Sequence, residues 1–306
     1  MNLSDITKIN FGSAGISAVY NGGIKLWPQG SELSNKVMKF TVVSGDTWNT
    51  TRISAYTDDN RFITPVKKDA TGWTYDENVK YLTSNIFGPS ENLLTFEGFP
   101  KAVKLKAGEN MFYNNSKCTD ISTANMDASE CTNMAQMFYG CSGLISLDVS
   151  NFDTSKVTDM NGMFNGCSGL TSLDLSNWNT SQVTFMNYMF FGCSGLTSLD
   201  VSNWDTSKVY TMLSMFNRCS KLTSLDLSNF DTSWTNIMSW MFYSCTSLTT
   251  LDLSNWDTSR VTETKGMFKS CSALKTVKMT NCNQATKDKI RAALDEAGLT
   301  NAVITE

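Results

Sequence analysis

The residues whose types could do chemistry are the cysteines, of which the chain has nine, and a column of aspartates. Cys141, Cys167, Cys193, Cys219, Cys245 and Cys271 stand 26 residues apart, and Asp148, Asp174, Asp200, Asp226 and Asp252 keep the same interval. Thiols in such number suggest disulfides, a zinc site or a nucleophile. Their spacing argues against each. Side chains that recur at one place in every unit point the same way, whereas a disulfide turns two Cβ atoms toward each other. Cys118 and Cys131 fall at repeat positions too, where other units carry Leu144 and Val157. Zinc sites draw on His and on Cys-x-x-Cys pairs; this chain has 0 His and no such pair. Free Cys is among the most buried residue types, so the expectation is a column of inert core thiols. With no Gly-rich phosphate loop and no triad motif, the expectation is no catalysis, no cofactor and no metal.

The aspartates pose a different problem. Adjacent strands lie about 4.8 Å apart, and like charges at that distance repel by roughly 1 kcal/mol even in water. Lys278 holds the equivalent position in the last unit and Ser122 in the first. Two readings stay open: a column that attracts cations or a basic partner, and a solvated ladder tolerated because Ser and Thr flank it.

What must position these residues is the repeat itself. Met-Phe recurs seven times, from Met111-Phe112 to Met267-Phe268, followed by Cys and by an apolar run such as Leu170-Thr171-Ser172-Leu173-Asp174-Leu175-Ser176-Asn177-Trp178. A period of roughly 20–50 residues signals a stacked array, because one such unit cannot bury its own apolar face. Leu173 and Leu175 alternate with Ser172, Asp174 and Ser176, which places the leucines inward on a short strand. Asn177 follows the strand, where side-chain amides satisfy backbone groups at a turn. Phe152, Trp178, Trp204, Phe230 and Trp256 share one position and form a core column.

One part of the unit breaks its own rule. Counting seven, ten and thirteen residues on from the column aromatic gives Asp159, Gly162 and Asn165, then Phe185, Tyr188 and Phe191, then Thr211, Ser214 and Asn217, then Ile237, Trp240 and Tyr243, then Glu263, Gly266 and Lys269. Positions that accept Asp, Gly and Lys are expected to be exposed. Aromatic triplets there, with Tyr210, Leu213 and Trp234 nearby, mark a surface patch, and exposed apolar patches mark interfaces. The patch admits an oligomer or assembly contact, capture of a receptor or glycan, or packing against a neighbouring loop.

The chain divides into residues 1–28, a small β module; 29–110, a β-rich region ending in the N-terminal cap; 111–281, the regular array; and 282–306, a C-terminal cap. In the first, Ile6–Gly12 and Ile16–Gly22 are strand-like between Gly turns. Gln29-Gly30-Ser31 reads as a linker, and Phe62–Val66 as an edge strand because Pro65 cannot donate to a ladder. In the last, Thr286 is expected to cap a helix running to Ala297, with Gly298 as the stop and Ala302–Thr305 as a final strand. A net charge of -4 gives no nucleic-acid footprint, which needs clustered Lys and Arg. No segment approaches the roughly 18 apolar residues of a membrane span, and the N-terminus has no secretory h-region.

The string from Gly192 to Val209, GCSGLTSLDVSNWDTSKV, resembles the BspA-like leucine-rich-repeat family of bacterial surface proteins. That resemblance implies a right-handed solenoid, mainly β with short helical turns, and adhesion without catalysis. Residues 1–28 resemble the N-terminal segment of virion proteins from tailed phages of gut Bacteroidales, in which Ile/Val-Tyr-x-Gly repeats precede a variable body. Together they imply a non-enzymatic virion protein, made in the host cytoplasm. Its N-terminal module would dock to other virion proteins and its array to a host surface protein or glycan, with homo-oligomers possible and neither nucleic-acid binding nor membrane insertion. The alternative is a bacterial cell-surface adhesin.

Overall fold

Each unit makes one coil, and every coil hands its backbone bonds to the coils on either side. The computed structural model describes residues 126–306 throughout, residues 103–105, 107–116, 119–121 and 123 before them, and the backbone of ten strands between residues 6 and 97. The expected linker at Gln29–Ser31, the four prolines, Cys118 and Ser122 lie outside the described residues.

The first strands, β1 (Ile6–Gly12), β2 (Gly15–Asn21) and β3 (Ile24–Lys25), pair antiparallel in sequence order. Next come β4 (Met38–Val42), β5 (Ser54–Tyr56), β6 (Phe62–Ile63), β7 (Lys67–Asp69), β8 (Gly72–Tyr75), β9 (Tyr81–Thr83), β10 (Leu93–Glu97), β11 (Val103–Leu105), β12 (Asp120–Ile121) and β13 (Met126–Asp127). They form two five-stranded sheets, ordered β12-β10-β4-β8-β7 and β13-β11-β9-β5-β6, with β6 at an edge. The pairings Leu93↔Asp120 and Val103↔Met126 are parallel, so β10 and β11 stand before β12 and β13 as one coil stands before the next.

Within the array the parallel sheet continues through β14 (Ser224–Asp226), β15 (Thr250–Asp252) and β16 (Thr276–Lys278), with Leu225 beside Leu251 and Leu251 beside Val277. On the other side of each coil a second ladder runs Asn133↔Asp159↔Phe185↔Thr211↔Ile237↔Glu263. A one-coil displacement therefore puts every residue on its own equivalent. That register forces identical side chains into columns.

The columns are the core. Leu170, Leu173, Leu175, Trp178, Val183, Met186, Met189, Phe190 and Cys193 of one unit are all buried, as are their equivalents but for the half-buried Thr264 of the last unit. Phe138, Phe164 and Phe190 stack at 5.7 Å per step with planes within 9°. Buried polar groups are satisfied between coils: the Thr180 hydroxyl donates to the Asp205 carbonyl at 2.9 Å, and that of Thr206 to Asp231 at 3.0 Å. Asn203 donates its amide to the Ser176 carbonyl of the coil before. Of the short helical or irregular turns that the family resemblance implies, the array takes tight turns; among the described residues the helix is α1 (Gln284–Glu296). No helix among them is long and apolar enough to cross a membrane.

The C-terminal end corrects one expectation. The N-cap of α1 is Asn283, whose side-chain Oδ1 accepts from Thr286 N at 2.8 Å, and Gly298 follows the helix at φ +74°. Thr286 is instead fully buried, and its hydroxyl oxygen accepts from the Thr258 N–H at 3.1 Å. It answers Thr258 much as the next coil's backbone would have done, while β17 (Val303–Thr305) pairs with β16 and continues the sheet.

Candidate functional site

The aspartates first. Asp148, Asp174, Asp200, Asp226 and Asp252 each accept, through Oδ1, the backbone N–H two residues on, that of Ser150, Ser176, Ser202, Ser228 and Ser254, at 2.9–3.0 Å. They are side-chain turns that close each strand end. The Ser150 hydroxyl and N–H hold Asp148 below the usual carboxylate range, and those of Ser176 and Ser202 do the same for Asp174 and Asp200. Partial burial pushes Asp252 upward, but the Ser254 bonds and Lys278, 3.1 Å from its Oδ2, outweigh it. These donors offset the repulsion along the column. Among the described residues no three His, Cys, Asp or Glu side chains come together in a way that could hold a metal.

The thiols are turned inward. Cys141, Cys167, Cys193, Cys219, Cys245 and Cys271 donate to the carbonyls of Phe112, Phe138, Phe164, Phe190, Phe216 and Phe242 in the coil before, at 2.8–3.1 Å. Burial pushes the Cys193 thiol up to about 12, so it is no nucleophile at neutral pH.

The aromatic positions lie on the second ladder. There the backbone is pinned on both sides: Tyr210 N bonds Thr184 O at 3.0 Å, and Met160 N bonds Phe185 O at 3.0 Å. Because Met186 and Met189 turn inward, Phe185 and Tyr188 turn outward. The tenth position after the column aromatic, and its equivalent Gln136 in the coil before, is left-handed, at φ between +54° and +61° for Gln136, Gly162, Tyr188, Ser214, Trp240 and Gly266. Glycine takes that conformation freely and a bulky side chain does not. Two coils nevertheless place Tyr and Trp there.

Those same coils give up a second stabiliser. At the seventh position Asn133 and Asp159 accept the N–H two residues on, at 2.8 Å, and Thr211 does so at 3.3 Å. Phe185 and Ile237 have no acceptor to offer. In return, Tyr188 meets Phe191 edge to face at 6.1 Å, and Trp240 meets Tyr243 at 5.3 Å.

Exposure divides the predicted patch. Phe185, Tyr210 and Trp234 are 44%, 45% and 49% exposed, whereas Tyr188, Phe191, Leu213, Ile237, Trp240 and Tyr243 are half-buried. The polar strip expected between the aromatic triplets is not exposed: Thr211, Ser214 and Asn217 are all buried. A Cβ built on Gly266 would lie 2.5 Å from Trp240 Cε3, so the indole reaches over the coil that follows it, away from Ser214.

Four further residues belong to this surface and do not follow from the count made on the column aromatics. Tyr113 and Tyr139 stack at 4.7 Å, Arg218 lies 5.6 Å over Phe191, and Arg260 lies 4.1 Å over Trp234. The residue after each Met-Phe reads Tyr113, Tyr139, Asn165, Phe191, Asn217, Tyr243 and Lys269, and that count would have found both tyrosines.

Among solved structures the chain is similar to a leucine-rich repeat protein from Bacteroides ovatus ATCC 8483, at 16% identity over 78% of this chain and 70% of that one, with a TM-score of 0.30. No curated protein matches it. The model of the family described as Mycoplasma protein of unknown function, DUF285, matches residues 106–199 and again 195–305, the whole of the array just described. Its repeat is this chain's repeat, and the chain belongs to that family.

Proposed function

We propose that this chain is a non-enzymatic attachment protein whose array displays the aromatic surface around Phe185, Tyr210 and Trp234 to a partner on a cell. One observation carries the reading. Tyr188 and Trp240 occupy left-handed positions that Gly162 and Gly266 fill in neighbouring coils, a strain of about 1–2 kcal/mol that Gln136 and Ser214 share. In the coils of Tyr188 and Trp240 the seventh position, Phe185 or Ile237, also offers no side-chain acceptor to cap the turn, and large rings kept there at a surface favour a role outside the fold.

The finer form of the proposal is a virion protein, supported by Val19-Tyr20-Asn21-Gly22 and the related Ile9-Asn10-Phe11-Gly12 ten residues before it. A bacterial adhesin of the BspA-like type is the second reading, favoured by a family description that names a bacterial genus. Mass spectrometry of purified virions against cell envelopes separates the two. For attachment itself, beads carrying the full chain are incubated with cells of gut Bacteroidales. The Tyr188→Ser/Trp240→Ser variant is expected to bind at least tenfold more weakly, a loss of about 1.4 kcal/mol, while still melting cooperatively, at a temperature lowered only by the loss of two edge contacts of about 0.5–1.5 kcal/mol each. Unchanged attachment, together with an unchanged oligomeric state by light scattering, overturns the reading.

A further inference from the structure

We infer that Gly266 is a positioning residue, the seat that sets the orientation of Trp240, and that the C-terminal helix holds this seat through Glu296, an inference that rests on the attachment reading, in which Trp240 is one of the rings presented. One ring of the surface is then set in place from the cap.

Backbone conformation does not explain the glycine. Gly266 stands at φ +61°, but Gln136, Tyr188, Ser214 and Trp240 hold φ between +54° and +59° at the equivalent places with full side chains. What sets Gly266 apart is its neighbour. A Cβ there would lie 2.5, 2.6 and 3.0 Å from Cε3, Cζ3 and Cδ2 of Trp240, and non-bonded carbons settle at about 3.5–4.0 Å. The indole and a side chain at 266 exclude each other. At Gly162, the other glycine of this column, the nearest atom to such a Cβ is Cγ of Gln136 at 3.4 Å, which belongs to a flexible chain and gives way. Gln136 and Trp240 both lean over the coil that follows; beneath the rigid ring a methyl group has nowhere to go.

Two further contacts fix the ring. Trp240 N donates to Lys265 O at 2.9 Å, which ties its backbone to the residue beside the seat, and the indole meets Tyr243 edge to face at 5.3 Å. A group already held in place loses less entropy when a partner binds it.

The seat lies in the last coil of the second ladder. In inner coils the N–H at this place donates to a carbonyl of the next coil, as Gly162 N does to Asn187 O at 2.8 Å and Ser214 N to Ser239 O at 2.9 Å. Gly266 N donates instead to Oε1 of Glu296, in the last turn of α1, at 3.3 Å. A carboxylate of the cap takes the part of the missing backbone carbonyl, directly under the indole.

The full chain is labelled with fluorotryptophan, and the fluorine resonance that disappears in Trp240→Phe is that of Trp240. Gly266→Ala is expected to shift this resonance, and Gly162→Ala, which carries the same left-handed strain, to leave it in place. Glu296→Ala is expected to shift it too, and Glu296→Gln, whose amide oxygen still accepts, to keep it at the parent position. Attachment of Gly266→Ala to the same cells is expected to weaken about tenfold, with no further loss when Gly266→Ala is added to Trp240→Ser. A resonance unmoved by Gly266→Ala, or moved as far by Gly162→Ala, overturns the seat; one unmoved by Glu296→Ala overturns the part given to the helix. Should Gly266→Ala not melt cooperatively, adding Trp240→Ser is expected to restore folding, and no restoration overturns the inference. Attachment that falls with Trp240→Ser but not with Gly266→Ala overturns it as well, whereas a moved resonance with attachment indifferent to both substitutions keeps the seat and sinks the attachment reading.

Discussion

At the residue scale the buried thiols make the sharpest prediction, because six of them do one thing. Each donates its S–H to a phenylalanine carbonyl one coil back, in surroundings with no room for a thiolate. Desolvation lifts Cys193 and Cys271 to about 12, against an ordinary value of 9.0, and Cys167, Cys219 and Cys245 are displaced the same way. Below 9.0 folded and unfolded thiols both hold their protons, and pH has no hold on stability through them. Between 9.0 and about 12 the unfolded chain has released protons that the folded chain keeps, so stability falls as pH rises. The slope is about 1.4 kcal/mol per pH unit for each thiol. Urea unfolding should therefore give a flat stability up to about pH 8.5 and a steep fall above it, and Cys193→Ala should lessen that slope by one proton. A slope unaltered by the substitution would mean that the thiol is not held protonated by the fold.

At the element scale the left-handed turn and the C-terminal helix answer to separate tests. Tyr188→Gly removes about 1–2 kcal/mol of backbone strain and gives up an edge contact with Phe191 of about 0.5–1.5 kcal/mol. Its melting temperature should stay within a few degrees of the parent while attachment drops; a large loss of stability would make Tyr188 a core residue. For the helix, Ile290 and Leu294 are fully buried against the last coil, so Leu294→Ala should cost about 2–5 kcal/mol. Because neighbouring coils support one another in series, hydrogen exchange should quicken first around β16 and last near Phe138. Uniform quickening would show that the helix is no local cap. These elements also mark what the sequence makes legible. The Leu, Met and Cys columns follow from period alone, since a fixed interval puts like on like. The burial of Thr211, Ser214 and Asn217 does not, because the same positions run from exposed at Phe185 and Glu263 to buried at Thr211, and the period says nothing of which. Nor does the capping role of the aspartates, which depends on a turn geometry that Asp-x-Ser suggests without fixing, and Asn283 won the helix cap from Thr286 by the same local geometry.

At the scale of the whole molecule, an array whose coils meet only their neighbours should tolerate loss of a whole coil and nothing less. Deleting residues 205–230 joins Trp204 to Asp231 and presents each side chain with a partner of the same kind. Thr180, which donates to the Asp205 carbonyl, meets Asp231 instead, and Cys245 meets the Phe190 carbonyl that Cys219 has left. The shortened chain should fold and unfold cooperatively, with a melting enthalpy lower by about 18 kcal/mol, the share of 26 residues. Deleting only residues 218–230 sets the leucine strand of one coil against the Met-Phe turn of the next and should leave no cooperative transition. The first deletion also removes Tyr210 and makes Phe185 and Trp234 residents of adjacent coils, so a folded product should lose one ring of its exposed aromatic surface while keeping its core. A half-coil deletion that melts as sharply as the whole-coil one would show that register between coils is not what holds this protein together.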